Sequence, residues 1–102
     1  MHYLDNAATT RVLPEAAEAA VHAMCTCFGN PSSLHRMGIE ASHLLEESRK
    51  TVAAALGCLP EETYFTSCGT ESTNISLRGA AHLHRHKKGR IITTEIEHAA
   101  TA

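Results

Sequence analysis

Apolar residues recur at spacings of three and four between about residues 34 and 56, which predicts an amphipathic helix. The charged residues of this stretch fall mostly on the opposite face. An alanine-rich stretch over residues 14–27 predicts an earlier helix, because Pro14 suits a first helical turn and Glu15 complements its positive end. Between the two, residues 28–33 are a dense cluster of turn formers and are predicted to be a loop.

The second half of the chain alternates β-branched stretches with a helical one. Threonine and aromatic residues concentrate at residues 63–67, and β-branched residues at 90–94, so both segments are predicted to be strands. Residues 71–86 between them are predicted to be helical, and Gly57 fits a left-handed helix stop. Strand, helix and strand within about thirty residues form a βαβ pattern, which predicts an α/β fold class with parallel strands.

Composition predicts one modest soluble domain. The chain has 102 residues, of which 43% are hydrophobic and 20% charged, with a formal net charge of −2. Basic residues are scattered apart from a short run at 85–90, which argues against nucleic-acid binding. No apolar run approaches the roughly 20 residues that span a bilayer, and the first residues lack the pattern of a signal peptide. We therefore expect no membrane association and a cytoplasmic location.

Neither the cysteines nor the histidines have the spacing of a metal motif. One residue separates Cys25 from Cys27, whereas redox and zinc motifs usually separate two cysteines by two residues. In a reducing compartment all four cysteines are expected to be free thiols. His82, His84 and His86 have no acid or cysteine at zinc-motif spacing, so a solvated helix end is the favoured interpretation. A stand-alone histidine-rich module that binds metal or a partner remains an alternative.

The sequence Ser67-Cys68-Gly69-Thr70 joins the first predicted strand to the following helix. Glycine lets a backbone approach an anion closely, the first amides of a helix point outward, and the Thr70 hydroxyl adds a donor. These features predict a phosphate site at Gly69 and Thr70. The alternative is that Ser67 or Thr70 merely caps the helix.

His98 follows the second predicted strand, at the rim where open α/β sheets bind ligands. A histidine there can stack on an aromatic ring or transfer protons. The alternative is an inert histidine in a surface loop. The functional interpretation depends on His98 sharing this rim with Gly69 and Thr70.

Four motifs, taken together and in order, resemble the N-terminal portion of cysteine desulfurases, in the class V aminotransferase group of pyridoxal-phosphate enzymes. They are YLDNAATTRV at residues 3–12, FGNPSSLH at 28–35, FTSCGTES at 65–72 and IITTEIEH at 91–98. The resemblance is closest to the nitrogen-fixation type and covers essentially the whole chain. It implies the N-terminal part of the fold-type I transferase fold, whose full form is a three-layer structure around a mostly parallel seven-stranded sheet. Residues 1–13 would be an arm belonging with the small domain, and residues 14–102 the first part of the large cofactor-binding domain.

The same resemblance implies a homodimeric enzyme with pyridoxal 5'-phosphate as cofactor. Such an enzyme removes sulfur from L-cysteine, leaves L-alanine, and passes the sulfur as a persulfide to an acceptor or an iron–sulfur scaffold protein. Gly69 and Thr70 match the family positions that hold the cofactor phosphate, and His98 matches the histidine that stacks on the pyridine ring and assists proton transfer. These motifs only partly separate cysteine desulfurases from selenocysteine lyases and other class V enzymes.

Several family residues have no counterpart in this sequence. They are the Schiff-base lysine, the aspartate that partners the pyridine nitrogen, the arginine that binds the substrate carboxylate, and the persulfide-forming cysteine. We therefore expect an N-terminal fragment that is inactive by itself. Because its two predicted strands would lack their neighbours, their edges and apolar faces would be open. The isolated chain is expected to fold poorly, or to adopt a helical subset with a non-native strand pairing.

Overall fold

A computed structural model of the chain describes residues 2–87 and 89–101. Its helices are α1 at Pro14–Cys25, α2 at Arg36–Leu56, a short 3-10 helix at Pro60–Glu62, and α3 at Gly69–Leu83. The chain forms two compact units, the first ending at Thr63 and the second beginning at Tyr64. The predicted arm, large-domain segment and basic run include residues 1, 88 and 102, which lie outside the described residues.

Helix α1 begins at Pro14, as its sequence predicts, and ends at Cys25, two residues earlier than predicted. It stops there because the amides of the next two residues both donate to the His22 carbonyl at 2.9 Å, which closes the last turn. The helix buries none of its residues, and Val21 and Met24 are more than half exposed. Its apolar side chains therefore form an open stripe within the first unit.

Helix α2 carries most of the small core of the first unit. Ala41 and Ala53 are buried, and the Arg49 guanidinium donates to the carbonyl oxygen of buried Thr63. The helix ends at Leu56, and the next residue, Gly57, has a φ of 71° and a ψ of 30°, which confirm the predicted left-handed stop. A left-handed residue lets the chain reverse without the steric cost that a Cβ would bring.

The loop before α2 lies in direct backbone contact with the start of that helix. A Cβ built on Gly29 would lie 2.2 Å from the Met37 carbonyl oxygen, and one on Gly38 would lie 2.2 Å from the Ser33 carbonyl oxygen. Within the loop, the Ser33 amide donates to the Asn30 carbonyl at 2.9 Å. The loop predicted from its turn-forming residues is confirmed, and Gly29 in the loop and Gly38 in α2 permit the close approach.

Neither predicted strand forms in the part of the chain that the structure describes. Residues 63–67 and 90–94 belong to no sheet, although Thr63 has extended dihedral angles, with φ of −102° and ψ of 119°. A strand is stable only when a neighbour supplies hydrogen bonds and covers its apolar face. The βαβ prediction is therefore wrong for this structure. One of the two expected outcomes was a helical subset with a non-native strand pairing; the described residues form helices but contain no strand pairing of any kind.

Helix α3 begins two residues before its predicted start and ends three residues before its predicted end. It buries none of its residues. Across residues 2–87 and 89–101, no helix combines the length and hydropathy that crossing a membrane requires.

Candidate functional site

The start of α3 presents a row of backbone donors. Cys68 has extended dihedral angles, with φ of −166° and ψ of 171°, and the helix begins with Gly69. The first intrahelical bond runs from the Ser72 amide to the Cys68 carbonyl at 3.2 Å. The amides of Gly69, Thr70 and Glu71 come before Ser72 and therefore have no carbonyl acceptor within the helix. They point outward from its N-terminal end.

The sulfur of Cys68 lies against these donors. Hydrogen bonds from the Glu71 amide, the Ser67 hydroxyl, and the amide and hydroxyl of Thr70 hold the pKa of the Cys68 thiol below its ordinary value. The Ser67 hydroxyl oxygen is 3.8 Å from the sulfur. A lowered thiol pKa means that the thiolate is more stable, relative to the neutral thiol, than it is in a free cysteine. The turn therefore stabilises negative charge, in keeping with the positive end of a helix dipole.

The carboxylate of Glu71 folds back onto the residue before Cys68. Its Oε2 accepts from the amide and from the hydroxyl of Ser67, both at 2.7 Å, and these bonds lower the pKa of Glu71. The capping residue is Cys68, and Thr70 is the second helical residue. The capping alternative is therefore wrong for Thr70, and Ser67 acts as a donor to Glu71 instead.

Space in front of Gly69 is open. A Cβ built on this residue would meet no atom within 4 Å. Outward amides, a hydroxyl donor and free space are what a phosphate group requires at a helix start. The residues present therefore fit the phosphate of the cofactor that the sequence implies.

His98 lies in a tight turn at residues 98–101 rather than after a strand, which corrects its predicted setting. The Thr101 amide donates to the His98 carbonyl at 2.8 Å, and the Ala100 amide donates to His98 Nδ1 at 3.1 Å. Because Nδ1 accepts a hydrogen bond, the neutral imidazole carries its proton on Nε2. The side of the ring available for proton exchange is therefore Nε2.

Asn74 connects the two predicted parts of the site. Its side-chain Nδ2 lies 3.0 Å from the Thr70 carbonyl oxygen and 3.5 Å from the Ala100 carbonyl oxygen. The turn that contains His98 is thus brought beside the first turns of α3, within the second unit. Sequence reasoning missed Asn74. The available signal was a polar residue one helical turn after Thr70, on the same face.

The other candidate sites do not coincide with this region. A groove of about 630 Å³ runs beside the C-terminal half of α3, and its lining includes Leu77, Ala81 and Ile91. It includes none of the predicted site residues. Among the described residues, no three histidine, cysteine, aspartate or glutamate side chains lie close enough together to hold a metal ion. The alternative of a histidine-rich metal-binding module therefore receives no support from a ligand cluster in this part of the chain. The four cysteines are free thiols.

Comparison with protein families matches residues 2–102 to the class-V aminotransferases. The chain belongs to this family. The assignment confirms the resemblance carried by the four sequence motifs.

Individual members of the class-V aminotransferase family are similar over nearly the whole chain. A NifS/IcsS protein homolog of Lactobacillus delbrueckii subsp. bulgaricus is 48% identical over 102 residues, covering 100% of this chain and 26% of the relative. A cysteine desulfurase IscS of Methanosarcina thermophila is 47% identical over 98 residues, or 96% of this chain and 24% of the relative. The solved structure of a NifS-like protein has a TM-score of 0.81 and 46% identity over 92% of this chain and 26% of that one. The chain therefore spans about a quarter of the length of these relatives.

Proposed function

We propose that this chain is part of a cysteine desulfurase that uses pyridoxal 5'-phosphate. Gly69 and Thr70 hold the cofactor phosphate, and His98 lies over the cofactor ring. The observation that carries the proposal is the first turn of α3, where the amides before Ser72 have no intrahelical acceptor and the space in front of Gly69 is open. Relatives that bear the name cysteine desulfurase, at 47% identity, support the choice of reaction.

The proposal extends to the larger enzyme. That enzyme acts on L-cysteine as a cytoplasmic homodimer, releases L-alanine, and passes sulfur to an acceptor or to an iron–sulfur scaffold protein. Residues 1–13 serve as an arm of its small domain, and residues 14–102 begin the large domain of a fold-type I transferase. A selenocysteine lyase shares these motifs. The ratio of kcat/KM for L-cysteine to kcat/KM for L-selenocysteine distinguishes it from a cysteine desulfurase.

The contribution of α3 is to bind and orient. The amides of Gly69 and Thr70 and the Thr70 hydroxyl donate to a phosphate dianion, and such charge-assisted bonds are about twice as strong as neutral ones. The helix dipole acts in the same direction. Phosphate draws on the same donors as the Cys68 sulfur, so its arrival favours the neutral thiol.

The contribution of His98 is to cover the ring and to hold a proton at Nε2, because the Ala100 amide occupies Nδ1. When bound, pyridoxal phosphate supplies an electron sink for the bonds broken in the substrate. The covalent attachment of the cofactor is assigned to no residue of this chain. Lys50, for example, is paired with Glu47 at 2.7 Å on the surface of α2.

The test is cofactor binding by the full-length gene product, combined with assays for alanine and persulfide formed from cysteine. A Thr70→Val variant keeps the side-chain volume and removes one donor to the phosphate. We expect its dissociation constant for the cofactor to rise about ten- to a hundredfold, since a hydrogen bond to a charged group contributes about 1.5–3 kcal/mol. Thr51→Val, at an exposed position of α2, is the matched control. Equal affinities for the two variants would contradict the proposed role of Thr70.

A further inference from the structure

The side-chain amide of Asn74 has two hydrogens and two acceptors within reach. The Thr70 carbonyl oxygen lies 3.0 Å from Nδ2, and the Ala100 carbonyl oxygen lies 3.5 Å from it, 26 residues further along the chain. Asn74 is half-buried, although α3 has no fully buried residue. The first bond alone would be an ordinary contact along a helix, whereas the second joins two separate segments.

The acceptor at Ala100 belongs to the same hydrogen-bonded turn as His98. The Ala100 amide donates to His98 Nδ1 at 3.1 Å, and the Thr101 amide closes the turn onto the His98 carbonyl at 2.8 Å. A group that holds the Ala100 carbonyl therefore also restricts the movement of the backbone and ring of His98. The preceding residues 89–94 have no regular secondary structure that could do the same.

We propose that Asn74 is a positioning residue that fastens the His98 turn to the first turn of α3, and so sets the distance between the ring histidine and the phosphate donors. The inference rests on the proposed function, in which Thr70 and His98 act on the two ends of one ligand. Groups that hold two ends of one molecule must keep a fixed separation, since small displacements of a bound reactant are costly.

Hydrogen–deuterium exchange of the cofactor-free, full-length gene product tests this arrangement directly. Asn74→Leu has a similar volume without donors, and Asn74→Asp keeps the shape but has only acceptors when ionised. Both variants should speed exchange at residues 99–101 by about three- to tenfold, the effect of losing one net hydrogen bond. Ser76→Ala, at an exposed position of the same helix, should leave that exchange unchanged. Unchanged exchange in both Asn74 variants would overturn the inference.

A spectroscopic readout separates this inference from the proposed function. In the cofactor-bound protein, Asn74→Leu should change the pH dependence of the cofactor absorbance band, because His98 is no longer held over the ring. Its dissociation constant should change by less than about threefold, because the phosphate donors remain. If the unsubstituted protein binds no pyridoxal phosphate, the proposed function fails, while hydrogen exchange still decides the role of Asn74. If it binds normally and Asn74→Leu matches Ser76→Ala in both readouts, the inference alone is wrong.

A measurement on the unsubstituted protein covers the case in which both Asn74 variants fail to fold. In protein labelled with 15N-asparagine, the side-chain amide protons of Asn74 should show a nuclear Overhauser effect to the Ala100 methyl group. Its presence supports the contact, and its absence would overturn the inference.

Discussion

Cys68 is the last extended residue before α3, and the pKa of its thiol is lowered by the donors at the helix start. Because neighbouring amides and hydroxyls lower the pKa of this thiol, the thiolate persists to a lower pH than in free cysteine. Phosphate bound to the same donors would oppose that shift, because two anions would then share one set of amides. The protonation of Cys68 therefore reports on the occupancy of the turn.

We expect alkylation of Cys68 by iodoacetamide to reach half of its maximal rate at a lower pH than alkylation of free cysteine. Adding pyridoxal phosphate should move the midpoint back toward higher pH, whereas the exposed Cys25 of α1 should not respond to the cofactor. Mass spectrometry of the modified peptides over a pH series provides the measurement. A Cys68 profile that coincides with that of free cysteine would show that the donors do not act on the sulfur.

Local sequence was sufficient to place Gly69 and Thr70 beside a helix start, because a glycine before a helical pattern has a direct structural meaning, and their role as phosphate donors stays a prediction. It was not sufficient for Asn74, since its second partner lies 26 residues away and no spacing rule reports such a contact. His98 was predicted to follow a strand, and the structure instead places it in a turn. Its placement beside α3 comes from a side-chain contact that only the fold makes visible.

At the scale of elements, helix ends were predicted within two or three residues because their signals are local. Pro14 suits the first turn of α1, and Gly57 adopts the left-handed conformation that ends α2. The strands were not recovered in this structure, because a strand depends on neighbours that periodicity cannot supply.

Gly57 and Gly79 allow the effect of backbone conformation to be measured without the effect of steric crowding. A Cβ at Gly57 or at Gly79 would meet no atom within 4 Å, but Gly57 has a positive φ and Gly79 lies inside α3. Gly57→Ala should lower the free energy of unfolding by about 1 kcal/mol, because the left-handed conformation disfavours a Cβ. Gly79→Ala should raise it by about 0.5–1 kcal/mol through helix propensity. Urea unfolding of the full-length gene product compares the two, and a shift of the same sign in both would contradict this account.

At the scale of the whole chain, the balance between core and surface is unusual. Few residues are buried, while large apolar side chains such as Ile92 and Ile96 are 92% exposed. Both lie in or near the second predicted strand, where a sheet would have covered alternate side chains. Apolar surface left in water favours association.

The isolated 102-residue chain should therefore show helical circular dichroism but a broad thermal transition, and it should self-associate as its concentration rises. Hydrophobic burial supplies most of the cooperativity of folding, and this chain has little of it. Circular dichroism with thermal melting and light scattering after size-exclusion chromatography measure the two properties. A sharp cooperative transition in a soluble monomer would contradict the expectation.

The backbone contact between the loop and the start of α2 has a consequence for sequence evolution. Gly29 and Gly38 lie on opposite sides of that contact, and neither side has room for a methyl group. The residues at these two positions are therefore expected to vary together among relatives. A relative that acquires a side chain at either position must shift the loop away from the helix, and that shift would relax the requirement for glycine at the other.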